Sequence, residues 1–164
     1  MSVKSDYNKE EWLLLYSLPA AVGLSVLMVD DSGMWGTTKE SFAISKDMAM
    51  GVKNYPYNSL IQNLLKDKKD PEGDPVKDSL KDLKEQMQQK GIQNFIEEVV
   101  TDCEKTAELL AEKSDDKETG EYKAWVIGVA KGVAEAAKEK GSSGGKVSDK
   151  EQELLDKFLA ALGV

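Results

Sequence analysis

The sequence contains no histidine, and reading it through shows no arginine. Without imidazole, the chain lacks the Ser-His and Cys-His pairs of familiar hydrolases and the histidine ligands of common zinc and di-iron sites. Without guanidinium, it lacks the forked donor that best fits phosphate or guanine. A formal net charge of −8 also repels a nucleic-acid backbone. We therefore predict no nucleic-acid partner and no histidine-dependent chemistry.

The chain has one cysteine, Cys103, which cannot form a disulfide within the chain. Its position on the apolar stripe of a predicted helix favours a small buried side chain over a reactive thiol. Dependence on a core rather than on disulfides is typical of a reducing compartment, so we predict a soluble, cytoplasmic protein.

The longest uncharged run extends from Leu13 to Val29, which is at the lower edge of membrane-spanning length. Glu10 and Glu11 precede it, Asp30 and Asp31 follow it, and no basic residue flanks it directly. The same acidic residues, and the lack of a small-residue cleavage site, argue against a signal peptide. We interpret the run as a buried core helix and expect no membrane association, with membrane insertion or export as the alternative.

Apolar side chains recur every three to four positions through most of the 164 residues, and no segment alternates convincingly with a period of two. The pattern predicts an all-α fold of about seven helices in a single domain over residues 1–164. Proline should bend or split the first helix at Pro19. Gly128 and Gly132 should permit close packing in the sixth. The predicted helices are Lys9–Val29, Thr37–Val52, one that begins near Pro56, Pro75–Gly91, Ile92–Lys113, Glu121–Lys140 and Ser148–Gly163.

Two segments of the chain are similar when it is aligned with itself at an offset of 111 residues. The alignment places Thr37-Thr38-Lys39-Glu40 on Ser148-Asp149-Lys150-Glu151, each of which has the form of a helix capping box. The match is compatible with an internal repeat of residues 12–52 and 122–163, in two pseudo-symmetric halves. It is equally compatible with two independent capping boxes.

The segment from Gly145 to Leu155, Gly-Lys-Val-Ser-Asp-Lys-Glu-Gln-Glu-Leu-Leu, resembles the helix-loop-helix of the TerB-like tellurite-resistance family. The resemblance implies an all-helical fold with an internal repeat and a role in the stress response. It also implies acidic residues that hold a divalent ion. Gly144 stands where the usual loop has aspartate, whereas Asp30 and Asp31 are present in the first copy.

Candidate site residues fall into two groups. Asp30, Asp31 and Glu40 could supply oxygen ligands to a divalent cation, the one cofactor that we consider, although we favour helix capping and favourable charge at a helix N-terminus as their role. Aromatic and sulfur side chains near turns could instead anchor a partner or fold back onto the core. The candidate anchors are Met34, Trp35, Tyr55 and Tyr57.

These observations favour a noncatalytic helical module that binds a protein or a small ligand. The first alternative is a module that binds a divalent ion. The second is an enzyme that uses carboxylate and lysine chemistry in a pocket between helices. Glu97, Glu104 and Glu108 share one helical face, which we interpret as solvated. Oligomeric state and ligand identity do not follow from the sequence.

Overall fold

The computed structural model describes residues 1–29, 38–66, 75–138 and 147–164, without the side chains of 38–40, 75–79 and 137–138. The predicted all-α fold is confirmed, since the described ranges form seven α-helices and contain no strand. A short 3₁₀ helix, Lys4–Asp6, precedes them. The helices are α1 (Lys9–Met28), α2 (Thr38–Asn54), α3 (Ser59–Lys66), α4 (Pro75–Lys90), α5 (Ile92–Lys113), α6 (Asp116–Lys138) and α7 (Asp149–Leu162).

Helix α1 lies at the centre and contacts α2, α4, α5, α6 and α7. Asn8 caps it through a reciprocal pair of hydrogen bonds with Glu11, each 2.8 Å long. By length and hydropathy α1 is the one helix of the described chain that could cross a bilayer, but most of its apolar stretch is buried by the other helices. The arrangement agrees with the core helix expected from Leu13 to Val29.

Of the two effects expected of Pro19, bending or splitting of the first helix, splitting does not occur, because α1 runs unbroken from Lys9 to Met28. Proline has no N–H to donate to the carbonyl of Leu15, four residues earlier. The hydroxyl of Tyr122 on α6 donates a hydrogen bond to that carbonyl instead, at 2.7 Å. Tyr122 thereby satisfies the backbone group that Pro19 leaves without its helical donor.

Two helices begin at positions other than those predicted. Helix α3 begins at Ser59 rather than near Pro56, since the side chain of Asn58 accepts a hydrogen bond from the Ile61 N–H at 3.0 Å. Helix α6 begins at Asp116, inside the stretch from Ser114 to Gly120 that the sequence suggested was a loop. Acidic residues stabilise a helix N-terminus, which explains why this charged stretch is helical.

Close contacts at glycine allow α1, α2 and α6 to approach one another. The indole of Trp125 lies directly on Gly51, where an added Cβ would be 2.5 Å from Nε1. At Gly132 an added Cβ would collide with the carboxylate of Asp47. The expected role of Gly128 is wrong, because no atom lies within 4 Å of the position that its Cβ would take.

Helix α2 buries Ile44 and Met48, whereas Val52, four residues after Met48, is 42% exposed. Gly51 takes the next inward position of the helix, where the ring of Trp125 fills the space that a side chain would occupy. The final helix begins as predicted, with Ser148 and Glu151 forming a capping box, and ends at Gly163 in the left-handed conformation, with φ 68°.

Candidate functional site

A cleft of about 490 Å³ opens between α1, α4 and α5. Its walls are apolar side chains that the helical spacing directs toward the core, and its rim is polar. The volume is within the range of small-ligand sites, roughly 300–1,000 Å³. The apolar wall consists of Trp12, Leu13, Leu14, Leu18, Ala21, Leu83, Phe95 and Val99.

Carboxylates from two helices lie at the rim of the cleft. Asp82 comes from α4, and Glu98 and Asp102 come from α5 one turn apart. Asp82 and Glu98 are exposed and Asp102 is half-buried, so these groups remain in contact with water. Glu98 accepts a hydrogen bond from Lys90 at 2.6 Å. The rim therefore offers hydrated negative charge beside an apolar wall.

The N-terminal segment supplies the remaining side of the cleft. Lys4 lines the rim, with its ammonium nitrogen 6.0 Å from the centroid of the Trp12 ring. Trp12 also contacts Tyr7, whose ring centroid is 5.7 Å away. The cleft therefore has one aromatic wall fixed by packing and one side that carries a positive charge.

Neither of the two predicted site residues that the structure describes, Tyr55 and Tyr57, lines this cleft. Asp30, Asp31, Met34 and Trp35 lie outside the described residues, as does the side chain of Glu40. Within the described ranges, no group of three or more Asp, Glu or Cys side chains is arranged to hold a metal ion. The predicted divalent-ion site of Asp30, Asp31 and Glu40 stays a prediction.

The two tyrosines predicted as anchors lie in different environments. Tyr55 packs against the core, and burial raises the pKa of its phenol, with the nearby Glu121 contributing to the rise. Tyr57 is 89% exposed, so it does not fold back onto the core. It lines a separate shallow depression with Pro56.

The buried carboxylate of Glu118 joins three segments of the chain through hydrogen bonds. This role was not predicted, because the residue lies in a stretch that we expected to be an acidic loop. Its carboxylate accepts hydrogen bonds from the Ser2 N–H at 3.1 and 3.2 Å and from the Leu60 N–H at 2.9 Å. The hydroxyl of Ser2 donates to it as well. These bonds hold the N-terminal segment, α3 and α6 together, so the carboxylate has a structural role.

Cys103 is fully buried, as predicted. Burial, together with the neighbouring carboxylates of Asp102 and Glu104, raises the pKa of its thiol to about 12. A thiol held in its neutral form is a poor nucleophile. Cys103 is therefore a core side chain, and not a reactive group of the cleft.

Comparisons of the chain with protein-family models, characterised proteins and solved structures give no match. The resemblance of Gly145 to Leu155 to the TerB-like family stays a prediction, as does the internal repeat of residues 12–52 and 122–163.

Proposed function

We propose that this protein is a noncatalytic binding module whose ligand occupies the cleft between α1, α4 and α5. The observation that supports the proposal most directly is the combination of a 490 Å³ apolar-walled cleft with carboxylates at its rim. Apolar walls supply affinity and a few polar groups fix orientation in small-ligand sites. The soluble, cytoplasmic setting and the stress-associated role implied by the TerB-like resemblance are part of the proposal.

The geometry favours binding over carboxylate or lysine catalysis. General acid–base groups in enzymes are usually perturbed by burial or by a close charged partner inside a site that excludes water. Here Asp82, Glu98 and Lys4 are exposed at the rim. Hydrated charges of this kind are suited to the recognition of a complementary charge on a ligand.

A pair of matched substitutions on α4 tests whether the cleft is the site. Gln86 lines the cleft, Gln88 does not, and both side chains are exposed. In Gln86→Trp the indole should occupy the cleft and weaken binding of small apolar fragments by about tenfold or more, which is about 1.4 kcal/mol. Gln88→Trp should leave the affinity within about twofold of the unsubstituted protein.

The measurement is a titration of the full chain with a library of small apolar amines, in which the NMR chemical shifts of the backbone amides report binding. Perturbations should concentrate at Leu18, Leu83 and Val99, which form the wall. Shifts scattered over the surface, or fragment affinities that are equal in the two tryptophan variants, would contradict the proposal.

A further inference from the structure

A second depression continues the cleft along α1 and α5. It has a volume of about 480 Å³, and Leu14 and Asp102 line both depressions. We use the term α1/α5 furrow for the combined groove, which extends from Ala21 and Phe95 at one end to Glu10 and Glu112 at the other.

Helices α1 and α5 run antiparallel along the furrow, and α4 borders it at the end formed by the cleft. Lys113 at the end of α5 contacts Glu11 at the start of α1, with Nζ 2.7 Å from Oε2. Glu10 and Ala21 are roughly 16 Å apart along α1, at about 1.5 Å per residue. A groove of this length accommodates about three helical turns.

The floor and edges of the furrow carry apolar side chains that are not fully covered. Leu13 is 53% exposed, and Leu14 and Leu109 are half-buried. In helical bundles the groove between two neighbouring helices is the position that a third helix occupies, with its side chains inserted between theirs. The furrow has the shape for an amphipathic helix that inserts apolar side chains at every third or fourth position.

The charge of the furrow identifies the chemistry of such a helix. Among the described residues that line the furrow, carboxylates outnumber the ammonium groups of Lys4 and Lys105. Two of these carboxylates already have ion-pair partners beside the furrow, since Glu11 pairs with Lys113 and Glu98 with Lys90. Lys105 lies 3.3 Å from Asp102 in an exposed ion pair, which is weak and readily exchanged. The carboxylates are those of Glu10, Glu11, Asp82, Glu98, Asp102, Glu108 and Glu112.

We propose that the partner of the α1/α5 furrow is a basic amphipathic helix, whose apolar face occupies the furrow and whose lysine or arginine side chains pair with the carboxylates of its edges. This inference rests on the proposed function, which it extends from the cleft to the whole furrow. Opposite charge along an interface speeds association and fixes the register of the partner.

The test uses the full chain and a fluorescently labelled synthetic peptide of about 14 leucine and lysine residues, roughly 21 Å long as a helix, with leucine at helical spacing. A peptide of the same composition in scrambled order is the first control. Fluorescence anisotropy should show at least tenfold tighter binding of the ordered peptide, and the affinity should fall as salt is added.

Two double substitutions on α5 provide a matched control for charge. Asp102→Lys with Glu108→Lys reverses two charges in the furrow, whereas Glu97→Lys with Glu104→Lys reverses two exposed charges of the same helix outside it. The net charge changes equally in both. The first double substitution should weaken binding of the ordered peptide about tenfold, and the second should change the affinity by less than about twofold.

The outcomes separate this inference from the proposed function. Equal binding of the ordered and scrambled peptides, or equal weakening by the two double substitutions, would show diffuse attraction to an acidic surface and would overturn the helix proposal. If the peptide fails to bind while small fragments still bind in a manner sensitive to Gln86→Trp, the helix proposal is wrong and the cleft remains a small-ligand site. If neither binds, both proposals fail.

Discussion

Asp47 has a titratable carboxylate whose position is confined by a neighbouring helix. Its carboxylate lies against the backbone of α6 at Gly132, where no side chain could fit. Burial raises the pKa of this carboxyl group, Lys46 opposes the rise, and Glu135 adds to it. Burial of the charged form of Asp47 therefore opposes folding when the group is ionised.

The raised pKa of Asp47 determines how the stability of the protein depends on pH. When the pKa in the folded state exceeds that in the unfolded state, the folded protein binds more protons between the two values, so stability falls as pH rises through the folded pKa. Asp47→Asn removes the titrating group. It should raise the free energy of unfolding at pH 7, and its advantage should shrink as pH falls toward about 3.9, the ordinary aspartate value.

Urea unfolding at the two pH values measures the effect. Asp82→Asn, at an exposed position of α4, controls for the loss of one negative charge. An effect of Asp47→Asn that is the same at both pH values would assign the change to contacts rather than to ionisation.

How far the sequence predicts individual residues depends on what surrounds them. Cys103 was assigned correctly to the core, because it lies on a long apolar stripe at helical spacing. For Tyr57 the sequence left two alternatives open, an exposed anchor and a side chain folded onto the core, because the residue precedes the start of α3. The role of Glu118 could not be predicted, since its donors come from residues 2 and 60, which only the tertiary fold brings near it.

Among the helices, the link between Pro19 and Tyr122 shows how a proline is accommodated in a central helix. The hydroxyl of Tyr122 and the missing N–H of Pro19 involve the same atom, the carbonyl oxygen of Leu15. The two residues should therefore be energetically coupled, although 103 positions separate them in the sequence.

A double-mutant cycle measures that coupling. Tyr122→Phe leaves the buried Leu15 carbonyl without its donor and should cost about 1–3 kcal/mol in the free energy of unfolding. In a Pro19→Ala background the new N–H at position 19 supplies the helical bond, so the same substitution should cost about 1 kcal/mol less than it does alone.

Denaturant unfolding of the four proteins provides the comparison. Tyr7→Phe serves as the control, because the hydroxyl of Tyr7 bonds Ser2 and Ser114 rather than α1, and its effect should add independently to that of Pro19→Ala. Additive effects of Tyr122→Phe and Pro19→Ala would refute the coupling.

Helix ends were predicted well where a local motif marks them and poorly where it does not. The pair Ser148 and Glu151 correctly marked the start of α7. The start of α6 was predicted several residues too late, because the charged stretch that begins at Ser114 was interpreted as an acidic loop. In the structure Asp115 accepts a hydrogen bond from the Glu118 N–H at 2.9 Å, so the acidic residues there begin a helix.

In the whole molecule, the approach of α2 to α6 depends on the contact between Gly51 and Trp125. The indole N–H of Trp125 donates a hydrogen bond to the Met48 carbonyl at 3.1 Å, which fixes the ring over Gly51. The sequence could not indicate that a glycine on another helix makes room for the ring of Trp125. The cleft was missed for the same reason, because α1, α4 and α5 each contribute only part of it.

Two glycine-to-alanine substitutions, which should change the free energy of unfolding in opposite directions, test the contact between α2 and α6. Gly51→Ala places a methyl group against Trp125 and should lower the free energy of unfolding by about 1–3 kcal/mol, the usual effect of overpacking. Gly128→Ala adds the same methyl group at an exposed helical position with open space around it, and should stabilise by up to about 1 kcal/mol through helix propensity.

Thermal or urea unfolding of both variants is the measurement, together with the change in near-ultraviolet circular dichroism, to which Trp125 contributes with the other tryptophans. A Gly51→Ala protein as stable as Gly128→Ala, with an unchanged tryptophan signal, would show that α2 and α6 are free to move apart at this contact.

The burial of the single thiol provides an internal reporter of how often the bundle opens. Cys103 lies on α5 with no exposed surface, and the thiolate is the form that alkylating reagents attack. Modification under native conditions must therefore wait for α5 to separate from its neighbours, so the labelling rate reflects the population of opened molecules. The rate at which Cys103 is alkylated therefore measures how often the bundle opens, without denaturant or an introduced cysteine.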